Sequence, residues 1–354
     1  MKQLLSKTLI WAILALAVSC APEEEIVPEE EIVIGEFASG VFIINEGNFS
    51  ESNGSVGFYN EEKEINESDI FEKANEVKPG GILQSVYFHD TLAFIIDQLG
   101  NRIEVVEAET FKSVATIDEG LGTPRYMVIA NGKGYITNWG NFDENYDLPD
   151  SYVSVIDLSN YTVTKSIDAG NGAEGMIIFG DDVYVANSYT NTIEVINTET
   201  DAISTALTVA SNPVSFVKDK NDNVWVLSSS YFTGSALSKL NLTTAEVLTS
   251  FSVGASAKSL TVNSTGDQLY YLSAPYGADA EVRSVSIDAT EDATEALITA
   301  PNLYGLGIDP DTDMIYLGNS NAFQGNGTVL RYNGATFVDS FNAGIAPNGF
   351  VFRK

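Results

Sequence analysis

The feature that most constrains this chain is a unit that recurs seven times from residue 41 onwards. In its clearest copy, a short apolar strand at 183–187 is followed by a polar turn and by further strands at 192–197 and 203–209. Apolar and β-branched residues broken by Asn, Thr, Asp and Gly are typical of strands joined by tight turns. Copies begin at residues 41, 92, 134, 183, 224, 269 and 314, so successive copies are 41 to 51 residues apart.

Periods of about 40–45 residues with four strands in each are typical of propeller blades. In complete copies a fourth strand precedes the other three, as at 125–130, 176–179 and 259–262. We label the strands of a blade A to D from the centre outwards, so this preceding strand is A. The first copy lacks an A strand, whereas the chain ends in a spare strand-like segment at 347–352. We therefore predict an all-β, seven-bladed β-propeller whose ring is closed by the C-terminal strand pairing into the first blade.

The N-terminal residues are predicted to be an export signal and a tether. Two lysines precede an apolar run at 8–18 that is too short to span a bilayer, which predicts a signal peptide over residues 1–19. The segment Ala-Val-Ser-Cys at 17–20 resembles a bacterial lipobox, which implies lipidation of Cys20; an ordinary secretory signal is the alternative. Two copies of Pro-Glu-Glu-Glu-Ile-Val follow, so residues 20–36 are expected to form an extended, flexible tether and residues 37–354 the propeller.

Charge and residue counts exclude several classes of function. Lys and Arg number 18 against 49 Asp and Glu, a formal net charge of −31, so no basic surface for nucleic acid is expected. One Cys and one His exclude a disulfide framework and a Cys/His zinc site. The acidic segment 309–313 starts like a calcium-binding loop but lacks its later Gly and Glu, and it is predicted to be an A–B turn. We predict no metal, no cofactor and no catalytic residue.

The loops that connect strands B and C should lie on the same face of a propeller as the start of every A strand. In this chain those loops carry nine aromatic side chains. We expect about half of them to cover blade edges and the others to form a stacking surface. The nine are Phe49, Trp139, Phe142, Tyr146, Tyr189, Tyr231, Phe232, Tyr276 and Phe323.

Aligning the blades on their B strands places one residue of each A strand at the mouth of the central channel. A mostly polar ring of this kind could fix the orientation of a ligand, and a hydrated mouth without ligand is the alternative. Glu174 is predicted to pair with Arg125 or Lys258 rather than act as a general acid. Amides and aromatics suit a large, flat, amide-bearing ligand or a sugar, and two cations suit a phosphate poorly. The ring is Gln84, Arg125, Glu174, Val214, Lys258, Tyr304 and Asn348.

The unit at residue 183 resembles the YVTN-type repeat of surface-layer and YncE-like seven-bladed propellers, and the resemblance covers about residues 41–352. The opening blade, with Val-Phe-Ile-Ile-Asn-Glu-Gly-Asn-Phe at 41–49, together with the lipobox, is similar to surface lipoproteins that capture cobalamin and pass it to a TonB-dependent outer-membrane transporter. The acidic residues after Cys20 resemble signals that send lipoproteins to the cell surface.

The resemblance implies a non-enzymatic protein of the outer membrane and cell surface, with a corrinoid as ligand, a transporter as partner and membrane contact only through the lipid anchor. Two alternatives remain open: a scaffold that binds a protein or glycan, and a metal-dependent propeller hydrolase or lyase. The ligand-binding residues are predicted from their positions in the blades. They are Gln84, Arg125, Trp139, Phe142, Glu174, Tyr189, Tyr231, Phe232, Lys258, Tyr276, Tyr304, Phe323 and Asn348.

Overall fold

A computed structural model describes residues 35–230 and 234–354. It contains seven four-stranded antiparallel sheets arranged as the blades of a β-propeller, which confirms the predicted fold class. The predicted signal peptide, Cys20 and most of the tether lie outside the described residues, as do Tyr231 and Phe232. Within the described part of the chain, no helix has the length and apolar character needed to cross a bilayer.

The strands follow one another with the same A-to-D order in every blade except the first. Blade 1 consists of β1, β2, β3 and the last strand, β28, and each later blade takes the next four strands of the chain. The strands are β1 (Gly40–Asn45), β2 (Ser55–Asn60), β3 (Ile65–Glu67), β4 (Leu83–His89), β5 (Leu92–Asp97), β6 (Arg102–Glu107), β7 (Ser113–Ile117), β8 (Pro124–Ala130), β9 (Lys133–Asn138), β10 (Tyr152–Asp157), β11 (Thr162–Asp168), β12 (Ala173–Phe179), β13 (Asp182–Asn187), β14 (Thr192–Asn197), β15 (Ala202–Thr208), β16 (Pro213–Lys218), β17 (Val224–Ser230), β18 (Gly234–Asn241), β19 (Glu246–Val253), β20 (Ala257–Val262), β21 (Gln268–Ser273), β22 (Ala280–Ser286), β23 (Ile298–Ala300), β24 (Leu303–Ile308), β25 (Met314–Asn319), β26 (Asn326–Asn333), β27 (Thr336–Ile345) and β28 (Pro347–Arg353).

The ring closes as the spare C-terminal segment predicts. Strand β28 pairs antiparallel with β1, so Phe352 lies opposite Val41 and becomes part of the A strand of blade 1. The side chain of Asn45 adds a buried contact across the closure, because its Oδ1 accepts a hydrogen bond from the Gly344 amide at 3.0 Å. The first and last parts of the chain therefore share one sheet, which leaves blade 1 without an open inner edge.

The B strands form the most buried layer of the blades because each sheet packs against a neighbour on both faces. Several B strands are consequently buried at nearly every position, instead of alternating between buried and exposed residues. Large aromatic side chains in this layer have partners for their polar atoms. Tyr135 donates to Asp201 at 2.6 Å, and Trp225 donates from Nε1 to Asp219 at 3.1 Å. These two aromatic side chains therefore fill the space between blades while their polar groups remain hydrogen-bonded.

Blade 1 contains a short helix that the sequence pattern does not predict. Helix α1 (Ile70–Asn75) follows the three-residue strand β3, and the Asp69 carboxylate caps it by accepting from the Glu72 amide at 3.0 Å. Ile70 and Phe71 are buried in the same apolar cluster as residues of blades 1 and 2. The helix therefore supplies apolar cover where the outermost strand of the blade is unusually short.

Candidate functional site

An irregularity in strand pairing recurs at the start of all seven A strands. The register between strands A and B shifts by one residue near the first positions of β4, β8, β12, β16, β20, β24 and β28. Such bulges change the direction of nearby side chains and often border functional sites. In every blade, the predicted ring residue directly follows the first A-strand residue that pairs with strand B. The registers therefore confirm that the seven ring residues occupy equivalent positions.

Below this ring, the A strands present two further layers with different chemistry. The second layer is mostly small, and a Cβ added to Gly175 would lie 2.4 Å from the Val214 carbonyl oxygen, so the inner strands approach closely there. The third layer is entirely apolar, and all its members border the central cavity. The second layer is Ser85, Tyr126, Gly175, Ser215, Ser259, Gly305 and Gly349; the third is Val86, Met127, Met176, Phe216, Leu260, Leu306 and Phe350.

The central channel opens as a cavity of about 840 Å³. Its lining includes six of the seven predicted ring residues, and Glu174 lies behind Arg125 instead of on the cavity wall. The volume is within the range of about 300–1,000 Å³ that is usual for small-molecule sites. Polar groups are concentrated at the mouth and apolar groups lie deeper, so the channel has two chemically distinct zones.

On one side of the mouth, which we call the Arg125 side, the charged groups are paired with each other, although Trp139 Nε1 is buried without a hydrogen-bond partner in the described structure. Arg125 forms a two-point contact with the Glu174 carboxylate, at 2.8 Å from Nη2 and 3.0 Å from Nε. Burial alone would lower the pKa of Arg125, but the charge and hydrogen bonds of Glu174 outweigh burial and raise it. The predicted ion pair is therefore present, with Arg125 as its cation.

Four neutral residues complete the Arg125 side. The guanidinium carbon of Arg125 lies 3.8 Å from the centroid of the Trp139 ring, and Gln98 accepts a hydrogen bond from the remaining Nη1. Gln84 donates from Nε2 to the hydroxyl of Tyr126 at 2.8 Å. Burial raises the pKa of Tyr126 to about 12, so this phenol stays protonated near neutral pH. Each nitrogen of the guanidinium group thus donates to a protein acceptor, and the group lies over an aromatic face.

The opposite side of the mouth, the Lys258 side, is organised differently. Lys258 Nζ lies 3.9 Å from the centroid of the Tyr304 ring, and no hydrogen bond or ion pair to Nζ occurs among the described residues. Burial lowers the pKa of Lys258 to about 8, and the carboxylate of Glu46 opposes part of that shift. Lys258 is therefore a partly buried amine without a direct counterion.

Glu46 lies close to Lys258 but is committed to two neutral donors. Its Oε2 accepts from the Tyr304 hydroxyl at 2.5 Å and, more weakly, from Asn348 Nδ2 at 3.4 Å. Burial and the charge of Glu46 raise the pKa of Tyr304. The other amide atom of Asn348, Oδ1, is buried without a hydrogen-bond partner in the described structure. The Lys258 side thus holds both an unpaired cation and an unused acceptor.

More of the aromatic loop residues are exposed than expected from the sequence, which predicted that about half of them would cover blade edges. Of the seven in the described residues, only Trp139 is not among the exposed ones, because it packs beneath Arg125. Phe142 contacts Trp139 edge-on, and Phe323 contacts Tyr304 in the same way, with ring centroids 6.0 and 5.1 Å apart. The expectation is therefore wrong for this set: Phe49, Phe142, Tyr146, Tyr189, Tyr276 and Phe323 are exposed.

Three mouth residues were missed by the sequence analysis: Glu46, Gln98 and Tyr126. Glu46 and Gln98 directly follow the last residue of a B strand, as does Trp139, which is recognisable in the sequence only by its aromatic side chain. Equivalence between repeats was therefore a usable signal for a second set of lining residues. Tyr126 is the large member of an otherwise small second layer, and its hydroxyl reaches Gln84.

The described residues contain no group of three or more His, Cys, Asp or Glu side chains that could hold a metal ion. The acidic segment 309–313 forms an A–B turn, in which the Asp309 amide donates to the Met314 carbonyl at 2.9 Å. This turn confirms the sequence-based interpretation of the segment.

Sequence comparison assigns the chain to a family whose function is not defined. The family described as "Domain of unknown function (DUF5074)" matches residues 39–344. The chain belongs to this family. The DUF5074 match includes every strand from β1 to β26 within its limits. No curated protein matches the sequence.

Solved structures similar to this DUF5074 chain share its fold at low sequence identity. A putative 6-phosphogluconolactonase from Bacteroides fragilis has a TM-score of 0.68 at 10% identity, covering 90% of this chain and 98% of that one. The periplasmic gluconolactonase of Pseudomonas aeruginosa has a TM-score of 0.68 at 9% identity, covering 89% and 99%. A quinoprotein alcohol dehydrogenase-like protein from Bacteroides thetaiotaomicron has a TM-score of 0.65 at 14% identity, covering 89% and 78%. At these identities the similarity concerns the fold alone.

Proposed function

We propose that this protein is a lipid-anchored binding protein that captures a small molecule at the channel mouth without transforming it. The observation that carries the proposal is the cavity of about 840 Å³ beneath exposed aromatic side chains, with amide, hydroxyl and charged groups converging at its entrance. Concave sites with a few convergent polar groups are typical of small-molecule recognition. Aromatic faces at the rim add stacking surface for a flat ligand.

In its specific form, the proposal is that the ligand is cobalamin or a related corrinoid and that a TonB-dependent outer-membrane transporter receives it. The resemblance of the opening blade and lipobox to cobalamin-capturing lipoproteins supports this form. Lipidation at Cys20 and an acidic tether would hold the propeller at the outer membrane, on the cell surface, where it raises the local concentration of ligand for the transporter.

A binding experiment with a matched pair of variants tests the ligand. The full chain carrying Cys20→Ser is mixed with cyanocobalamin and passed over a sizing column, and corrin absorbance is followed in the protein peak. We expect coelution, because the mouth offers both amide partners and aromatic faces. A protein peak without corrin absorbance contradicts the corrinoid assignment.

Phe142 and Phe337 provide the control, because each side chain is 52% exposed but only Phe142 lies at the mouth. Phe142→Ala should weaken cyanocobalamin binding by roughly tenfold, the effect of losing one stacking contact of about 1.5 kcal/mol. Phe337→Ala, on outer strand β27, should leave affinity unchanged. Equal effects of the two substitutions would place the corrinoid away from the channel mouth.

Membrane fractionation and affinity purification test the proposed anchor and the proposed transporter. Native protein should fractionate with outer membranes and be accessible to protease added to intact cells, and Cys20→Ser should release it from the membrane. Affinity purification of the native protein from membranes should recover a TonB-dependent transporter. Recovery of a surface glycan or another protein class instead would favour the scaffold alternative.

A further inference from the structure

We infer that the Lys258 side of the mouth is a subsite for the anionic group of an organic ligand whose apolar part enters the channel below. The inference rests on the proposed binding function of this cavity and names the chemistry of its ligand. It depends on three features of the described structure: an ammonium group without a direct counterion, two mouth carboxylates that do not contact it, and an apolar layer below the small second layer.

The first feature is the surroundings of Lys258. Its two neighbours in the ring, Val214 of blade 5 and Tyr304 of blade 7, carry no charge. The Tyr304 ring face attracts the ammonium group at 3.9 Å but does not neutralise it. A partly desolvated charge without a partner is unfavourable, and an anion that binds beside it offsets part of that cost.

The second feature is that neither carboxylate of the mouth makes a direct contact with Lys258. Glu174 holds Arg125 with both oxygens, at 2.8 and 3.0 Å. Glu46 accepts from Tyr304 and Asn348, and it attracts Lys258 only through space. The protein, whose formal net charge is −31, therefore leaves one channel cation unpaired although acidic residues are abundant.

The third feature is the apolar third layer, which lies below the ring and the small second layer. Phe216 and Leu260 follow Val214 and Lys258 by two residues on the same A strands, and both border the cavity. An anion held at Lys258 would therefore lie above the apolar zone, with only the small second layer between them. Inorganic phosphate would fill only the upper zone, whereas an organic carboxylate, sulfonate or phosphate ester with an apolar body would fill both.

Two fluorescent probes that differ only in an anionic group test the subsite. 8-Anilinonaphthalene-1-sulfonate carries a sulfonate, and N-phenyl-1-naphthylamine has the same aromatic skeleton without it. We expect Lys258→Met to weaken sulfonate-probe binding by roughly tenfold or more, as for loss of a hydrogen bond to a charged group, and to leave the neutral probe unaffected. Lys258→Arg should retain binding of the sulfonate probe. All samples carry Cys20→Ser, so that neither lipid nor detergent competes for the probes.

Two further variants keep the test informative if Lys258→Met alters the fold. Lys218→Met removes the same charge from an exposed position on the opposite face and should change sulfonate-probe affinity less than twofold. Val214→Glu keeps Lys258 but places a carboxylate beside it, and should cause the same selective loss. Circular dichroism establishes that each variant retains the wild-type sheet content.

The outcomes separate the parts of the inference. Unchanged sulfonate-probe affinity in both Lys258→Met and Val214→Glu overturns the anionic subsite. Displacement of the sulfonate probe by methanesulfonate at equal concentration overturns the apolar requirement. Cyanocobalamin coelution is measured on the same samples, so failure of the corrinoid proposal and failure of this inference are read independently.

Discussion

The two sides of the channel mouth are built from similar residue types, but a carboxylate pairs with the cation on only one of them. On the Arg125 side, a buried cation is matched by a bidentate carboxylate, an amide acceptor and an aromatic face. On the Lys258 side, a cation rests on an aromatic face alone, and the nearby carboxylate is bound to neutral donors. The difference indicates that the charge on the first side is satisfied within the fold, whereas the second side retains a cation and an acceptor that a ligand can satisfy.

Breaking the ion pair between Arg125 and Glu174 should have the largest effect on stability and show most clearly how the two sides differ. Glu174→Gln leaves Arg125 buried without a counterion, and we expect the free energy of unfolding to fall by about 3–5 kcal/mol in chemical denaturation. Lys258→Met, which removes an uncompensated charge, should leave stability unchanged or raise it. Equal destabilisation by both substitutions would mean that the two sides do not differ in this way.

The pH dependence of stability should show a smaller effect, confined to the Lys258 side. The pKa of Lys258 is about 8 in the folded protein against 10.5 for the ordinary group, so between these values the unfolded chain binds more protons. Stability therefore rises with pH in this window, by about 1.5 kcal/mol between pH 8 and 9.5 for this residue. Tyr126 and Tyr304 remain protonated there, because burial raises both of their pKa values.

Denaturation of wild type and Lys258→Met across this pH range measures that contribution as the difference between their slopes. The variant should lack the increase, while the contribution of every other group cancels. Parallel profiles would show that Lys258 has an ordinary pKa and is not desolvated in the fold.

The smallest effect on the free energy of unfolding is expected when one amide side chain on each side is replaced by an apolar side chain of similar shape. Gln84→Met removes a 2.8 Å hydrogen bond to Tyr126 and should cost about 1 kcal/mol in the free energy of unfolding. Asn348→Leu removes only two long contacts, at 3.4 Å to Glu46 and 3.5 Å to the Leu83 carbonyl, and an acceptor without a partner, so it should be nearly neutral. A larger cost for Asn348→Leu would show that this amide is satisfied in the free protein.

Much of the site was predictable because its residues occupy equivalent positions in a repeated unit. Lys258 and Tyr304 could be placed in one ring by aligning B strands, although 46 residues separate them. The exposure of Phe142 was not predictable, since a loop side chain can cover a blade edge or face solvent without any change in sequence pattern. Glu46 was overlooked because only the aromatic residues of its loop were considered.

The sequence alone determined the number of blades, the order of their strands and the closure of the ring. These properties follow from the period of the repeats and from the spare strand at the C-terminus, which local hydrophobicity patterns record directly. Only the tertiary structure decided which charges meet. Arg125 and Glu174 come from adjacent blades, and Tyr304 reaches Glu46 across 258 positions of the chain. Such pairing depends on the distances between packed blades and on side-chain directions at the bulges, and neither is encoded in the local pattern.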